Sequence, residues 1–182
     1  FGKSAGGAIW LDRNKTSPYA FFQFWYNTSD ADVANFLRFF TFIECAEIAR
    51  LIESHAAAPE RREAQLRLAR EVTAMVHGEP ALQSAERITA SLFAGELAAL
   101  GEDDLAQLAL DGMECTVLAE PSAGLLDVLV RGGLAQSNGA ARKLVAGGGV
   151  RINGEVVAEA ERRLDWRDAL FGRYYLIRRG KK

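Results

Sequence analysis

Up to about residue 111 the apolar positions recur at helical spacing. Ser17 followed by Pro18 reads as an N-cap and a first helical residue, where the missing proline N–H costs nothing. Asp30 is placed to cap a second helix, whose Val33, Phe36, Leu37 and Phe40 repeat at i, i+3, i+4, i+7. Ile48, Leu51, Ile52 and His55 repeat that spacing before Pro59 breaks it. Leu68, Val72, Met75 and Val76 line one face of a longer helix that His77-Gly78 should close. Pro80 opens another helix with Ala85, Ile88, Thr89 and Leu92 on one side, and a short helix around Leu105 and Leu108 ends near Gly112. Ahead of all these, Ile9-Trp10-Leu11 reads as strand-like. The pattern predicts a bundle of five or six helices.

The texture then changes. DGMECTVLAEPSAG, with Pro121 and Gly124, reads as a linker, and the second module is placed at 122–182. GLLDVLVRGGL is a short helix closed by Gly132-Gly133, and SNGAARKLVAGGG a second, with Ser137 as N-cap and Gly147 to Gly149 as its stop. Val150-Arg151-Ile152 alternates like a strand, Asn153-Gly154 is a strong hairpin signal, and Glu155 to Val157 returns. Tyr174 to Ile177 reads as a last strand before the basic tail RRGKK. The predicted fold class is a mainly α helical bundle followed by a small α+β module.

Composition narrows the function classes. With 49% hydrophobic and 25% charged residues the chain is ordinary for a globular protein. No run approaches the ~20 apolar residues of a membrane span, and no signal peptide is visible. Cys45 and Cys115 stand at no metal-ligand spacing and read as thiols of a reducing cytoplasm, with no metal site expected. His55 ends an apolar stripe and His77 lies in a last helical turn, where a cation is favourable; neither has partners at catalytic spacing. The first residue is Phe1 and the methionines are Met75 and Met113, so the chain is expected to be part of a longer protein.

Charge separates the two halves. Residues 1–118 carry 10 Lys+Arg against 17 Asp+Glu, and residues 119–182 carry 12 against 7, so −7 and +5 make up the net −2. A basic module beside an acidic one is a candidate for nucleic acid, the alternative being a solvated basic face. Arg142 and Lys143 project away from Ala141, Leu144 and Val145, and alternation puts Arg151 opposite Val150 and Ile152. With the helix start at Ser137 they could form one surface suited to phosphates.

LLDVLVRGGLAQSNGAARKLVAGGGVRINGEVV resembles the alpha-L RNA-binding fold of a small-subunit ribosomal protein, some pseudouridine synthases and bacterial tyrosyl-tRNA synthetases. The matching positions are Ser137, Arg142, Lys143, Leu144, Gly148, Val150, Ile152, Asn153 and Gly154. The resemblance implies structured RNA recognised by shape and backbone, because the A-form major groove excludes side chains.

The opening FGKS has three readings: chance, the tail of a Walker-type phosphate loop, or the mobile lysine loop of class I aminoacyl-tRNA synthetases. A Walker lysine runs directly into a helix, whereas here Ala5-Gly6-Gly7-Ala8 follows. The sequel GAIWLD, KTSPY, FFQFW, FTF, VHGE and GRYYLIRRGKK is similar to bacterial-type tyrosyl-tRNA synthetases along nearly the whole chain. That resemblance implies four segments: 1–16, the end of a catalytic domain with its signature loop; 17–111, a helical anticodon-binding domain; 112–121, a linker; and 122–182, the alpha-L RNA-binding domain. It implies Lys3 as a catalytic residue and Gly2, Lys3 and Ser4 as contacts to ATP phosphates, with Ser137, Arg142, Lys143 and Arg151 on RNA. It further implies tRNA(Tyr), tyrosine and ATP as substrates, magnesium with the ATP, a cytoplasmic homodimer formed through a catalytic domain that this sequence lacks, and no DNA or membrane partner. The loop's leading lysine would fall before Phe1. The competing expectation is a stand-alone, non-catalytic structured-RNA-binding protein.

Overall fold

The computed structural model describes residues 9–95, 97–120 and 122–180. The chain is mostly helical with small antiparallel sheets. It divides into two compact units: one gathers the chain up to Thr89 with Leu110–Gly112, the other Ala90–Ala109 with the chain from Met113 onward.

In the first unit, α1 (Pro18–Tyr26) begins where expected: the Ser17 hydroxyl accepts the Ala20 N–H at 3.0 Å. The Asp111 carboxylate accepts the Ser17 N–H at 2.8 Å, which ties 110–112 to the helix start. Helices α2 (Asp30–Phe40), α3 (Cys45–Ala57), α4 (Glu63–His77) and the first part of α5 (Glu79–Ala94) complete the bundle. Its core joins Phe21, Phe22 and Trp25 to Val33, Leu37, Ile48, Leu68 and Val72. Buried Ala64 and Ala69 let α1 approach α4 closely. Trp25 packs against Phe36 and Phe40 with ring centroids 6.1 and 5.1 Å away.

Four local expectations change here. Ser29, not Asp30, is the N-cap of α2; Asp30 is the first helical residue and its carboxylate faces buried His55 and Gln65, at 2.9 and 2.5 Å. Met75 is 49% exposed, because the buried face of α4 runs through Ala64, Gln65, Leu68, Ala69, Val72 and Thr73 and leaves Met75 on its flank. Ile9 to Leu11 form no strand: the Trp10 N–H bonds the Thr16 hydroxyl, and the Asp12 carbonyl accepts from Lys15 and Thr16 in a turn. His77 does close α4, with Gly78 at φ 84°, yet it lies edge-on to Phe21 at 4.7 Å. Burial, and then the charge of Arg13, hold its pKa below the ordinary value, so a cation is not favoured there.

The second unit is built on a second core. The helix α6 (Glu102–Gln107) precedes a π-type turn over Leu108–Gly112, whose last three residues belong to the first unit. Strand β1 (Ser122–Gly124), which lies inside the stretch read as a linker, pairs with β4 (Arg163–Asp165). Helices α7 (Leu125–Arg131) and α8 (Asn138–Ala146) pack on a three-stranded sheet ordered β3 (Glu155–Val156), β2 (Val150–Ile152), β5 (Ile177–Arg179). Leu125, Leu129, Ala141, Val145, Val150, Ile152 and Leu164 form its interior. The last strand begins at Ile177 rather than Tyr174, because Tyr174 pairs instead with Leu170 in a preceding hairpin. Gly149 is required by proximity: a Cβ there would meet Leu144 Cδ1 at 2.8 Å and the Leu144 carbonyl at 3.1 Å. No helix among the described residues is long and apolar enough to cross a membrane. Cys45 and Cys115 are exposed free thiols.

The first unit should lose stability on acidification in two windows. His77 has a folded pKa below its unfolded value of about 6.5, so the folded state binds fewer protons and destabilisation begins as pH falls through that range. Hydrogen bonds from His55 and then Gln65 lower the Asp30 pKa, so its contribution is complete above about pH 4 and lost as pH falls through the folded value. Melting curves between pH 8 and pH 3 should show both declines; His77→Gln should remove the first and Asp30→Asn the second. A His77→Gln curve parallel to wild type would overturn the assignment.

Candidate nucleic-acid interface

The basic surface of the second unit starts at α8. Ser137 caps it through the Ala140 N–H at 3.2 Å, which leaves its hydroxyl proton for another partner. Asn138 donates to the Asp127 carboxylate at 3.0 Å, so a carboxylate already stands at this helix start. Arg142 and Lys143 are both exposed, on the side away from buried Ala141 and Val145. Arg142 pairs with Glu161 at 2.8 Å, and both side chains are more than half exposed. Such a pair contributes roughly 0–1 kcal/mol and is easily exchanged for a phosphate.

Arg151 lies on the sheet. Its neighbours Val150 and Ile152 are buried, which puts Arg151 on the opposite face, where its Nη1 donates to the Gly154 carbonyl at 3.0 Å. The register sets Arg151 directly opposite Arg178 on β5 and Val156 on β3, and cross-strand partners share a face. Two like charges at this spacing cost a few tenths of a kcal/mol up to about 1. The arginines diverge: Arg151 turns to its own hairpin, while Arg178 reaches Gly95, where an added Cβ would lie 3.4 Å from its Nη1. Other arginines of the unit are held down. Arg163 donates to the Ser122 hydroxyl and carbonyl at 3.0 and 3.1 Å, Arg179 to the Leu134 carbonyl at 3.1 Å, and Arg173 pairs with Glu102 at 3.2 Å.

The sequence-predicted RNA residues therefore fall in three settings: Ser137 at a helix cap, Arg142 and Lys143 on one helix face, Arg151 on a sheet face. Sequence reasoning missed Arg178. In the sequence it is visible only as part of a basic tail, although pairing apolar Ile177 with Ile152 would set it beside Arg151. Gly2, Lys3 and Ser4 lie outside the described residues. Among the described residues, no group of three or more His, Cys, Asp or Glu side chains is gathered to hold a metal.

A second feature lies between β4 and β5. A one-turn 3-10 segment, Trp166–Asp168, leads into the hairpin in which Leu170 and Tyr174 exchange backbone hydrogen bonds. Its tip residues, Phe171 and Gly172, have φ of 53° and 67°. Glycine adopts that geometry freely, whereas for phenylalanine it costs roughly 1–2 kcal/mol. The Tyr175 hydroxyl donates to the Asp165 carbonyl and anchors the base of the loop.

Comparison with known proteins matches two stretches of the chain. Residues 1–94 match the family described as tRNA synthetases class I (W and Y), and residues 104–182 match the tyrosine–tRNA ligase SYY-like C-terminal domain. A tyrosine–tRNA ligase of Aliivibrio fischeri (strain MJ11) is 56% identical over 182 residues, all of this chain and 43% of the relative. Those of Klebsiella pneumoniae and Dechloromonas aromatica are 53% and 50% identical over the same length. The chain thus spans about 43% of the length of such relatives. A solved C-terminally truncated mitochondrial tyrosyl-tRNA synthetase of Coccidioides posadasii is 37% identical over 47% of this chain and 24% of that one, with a TM-score of 0.44. With its first half matched by the family and its whole length aligned to ligases of that kind, the chain belongs to the class I tRNA synthetases of the tryptophan and tyrosine group.

Proposed function

We propose that this chain is the tRNA-binding C-terminal part of a tyrosine–tRNA ligase, which joins tyrosine to tRNA(Tyr) through tyrosyl-adenylate with consumption of ATP. The observation that carries this reading is the end-to-end alignment, 56% identical, with a tyrosine–tRNA ligase more than twice as long. In this reading residues 1–16 end the catalytic domain, 17–111 contact the anticodon arm, 112–121 link, and 122–182 form the alpha-L module. Dimerisation would rest on the catalytic domain outside this chain, and the complete enzyme would work in the cytoplasm.

The surface chemistry supports RNA. Arg151 and Arg178 hold paired positions on β2 and β5 with their guanidinium groups turned apart, and a phosphate that drew both toward it would accept two charge-assisted hydrogen bonds. Arg142 and Lys143 would add backbone contacts, which position RNA without reading its sequence. At the other end, Lys3 would meet negative charge that builds on the departing pyrophosphate as the tyrosine carboxylate attacks the α-phosphate. Gly2 would permit the bend and Ser4 would donate a hydrogen bond. A contact made late favours the transition state over the ground state. Magnesium commonly accompanies ATP, but with no metal cluster among the described residues no step is assigned to it.

The direct test is binding of tRNA(Tyr) by the 182-residue chain, together with tyrosine-dependent ATP–pyrophosphate exchange. Binding should be measurable and fall with salt at a log–log slope of about −0.7 to −0.9 per phosphate neutralised, and exchange should be absent. Exchange by this chain alone, or no tRNA binding at low salt, would overturn the reading. Replacing Arg142 and Lys143 with alanine should flatten the slope by roughly one for each phosphate that is no longer neutralised, while helicity is kept. An unchanged slope would move the RNA site elsewhere.

In the complete ligase, Lys3→Ala should slow adenylate formation by roughly 100- to 1,000-fold, with tyrosine affinity nearly unchanged. Lys3→Arg should rescue only in part, because a planar fork presents its charge differently from a compact ammonium. Pre-steady-state measurement of adenylate formation checks this. A rate within about twofold of wild type would make Lys3 an ordinary solvated lysine.

A further inference from the structure

Among the described residues, Arg62, Asn153 and Phe171 are the non-glycine residues at positive φ. For the first two the fold offsets the strain. The Arg62 guanidinium donates to the Tyr26 and Thr28 carbonyls at 2.6 and 3.3 Å, and the Asn153 side chain accepts the Leu176 N–H at 3.0 Å. Phe171 has neither a hydrogen bond to gain nor a ring partner among the described residues, and it is 52% exposed at the tip of its hairpin. An asparagine or glycine would suit the left-handed position better. A large apolar ring held out on a strained turn points to function outside the fold.

Its surroundings indicate what kind of partner. Five residues earlier Trp166 is 56% exposed, with the Arg167 guanidinium over its ring at 5.6 Å; Arg173 lies 5.4 Å from the Tyr174 ring centroid. The stretch 162–180 carries six arginines against Asp165 and Asp168. Aromatic faces interleaved with guanidinium groups in a cationic segment suit an unpaired nucleotide, whose base is flat and apolar and whose phosphates are anionic. We propose that Phe171 is a base-stacking residue that takes an unpaired, splayed-out base of the bound RNA, with Arg167, and Arg173 once it exchanges exposed Glu102 for a phosphate, near it in the sequence for the flanking phosphates. This rests on the RNA-binding reading above and adds to it a contact that is apolar and independent of charge.

The test compares tRNA(Tyr) transcript binding by the 182-residue chain carrying Phe171→Asn, Phe171→Ala or Phe171→Trp, with a thermal melt of each. Phe171→Asn should melt at or above the wild-type temperature, since asparagine accepts the left-handed backbone, and yet bind about 5- to 100-fold more weakly. Phe171→Ala should bind as weakly, and Phe171→Trp within about threefold of wild type. The salt slope should stay unchanged in all three, because no charge is removed. Folded Phe171→Asn and Phe171→Ala that bind within about twofold of wild type would overturn the stacking proposal and leave the RNA reading intact. Wild-type chain that fails to bind the transcript would overturn the RNA reading itself, and the stacking role with it.

Discussion

Asn153 fixes the geometry on which the second unit depends. It takes the left-handed conformation, φ 52°, that the turn between β2 and β3 requires. From there its N–H donates to the Leu176 carbonyl at 2.8 Å while its side-chain oxygen accepts the Leu176 N–H at 3.0 Å. One residue thus turns the β2–β3 hairpin and clamps the strand that arrives from the other end of the module. Glycine could make the turn but would supply only half of the clamp. A slip of one residue would reverse every side chain of β5, exposing Ile177 and directing Arg178 into the apolar interior. The register that sets Arg178 against Arg151 is therefore enforced by the same contact that closes the sheet.

That clamp also delimits the segment between β4 and β5. Its start is held by β4 paired to β1 and by the Tyr175 hydroxyl on the Asp165 carbonyl; its end is held at Leu176. Between these anchors the Leu170–Tyr174 hairpin carries Phe171 at its exposed tip. A rigid base with an exposed tip preorganises a contact, because the ordering cost is met in folding rather than in binding.

Much of this is legible in the sequence. The caps at Ser17 and Ser137, the glycine stops after α4 and α8 and the Asn153-Gly154 hairpin are local signals, decided by residues within one turn of each other. What the sequence hides is non-local. Asp30 reads as a cap because its neighbours allow it, and only the fold brings His55 and Gln65, 25 and 35 residues away, to its carboxylate. Ser122–Gly124 reads as a linker because three residues cannot display alternation; its strand character comes from Arg163 to Asp165. The helical face of α4 is misjudged at Met75 because small Ala64 and Ala69 carry little apolar signal although both are fully buried in the core. At the candidate site the chemistry of Arg142, Lys143 and Arg151 is visible, but the pairing that makes Arg178 relevant lives in the register.

The two units differ in how they treat departures from local rules. In the first, two are repaired internally: Arg62 gains two carbonyls for its strained backbone, and Asp30 gains His55 and Gln65, although Phe39 and Phe42 stay exposed. In the second, the repair is incomplete. Arg151 and Arg178 share paired positions on one face and are accommodated only by turning apart, and Phe171 stays exposed at positive φ. Together these cost on the order of 2–3 kcal/mol by general magnitudes, a sum a domain with roughly 5–15 kcal/mol of stability can carry. Consistency across local and global preferences is the ordinary state of a folded sequence, and the exceptions gather where function interferes. In the second unit they lie on one sheet face and in the hairpin that leads into it. Two arginines on one sheet face suit an anion, and an exposed aromatic ring suits a flat apolar surface. A nucleotide is both, which is why the unrepaired part of this fold supports an RNA partner more strongly than its net charge alone does.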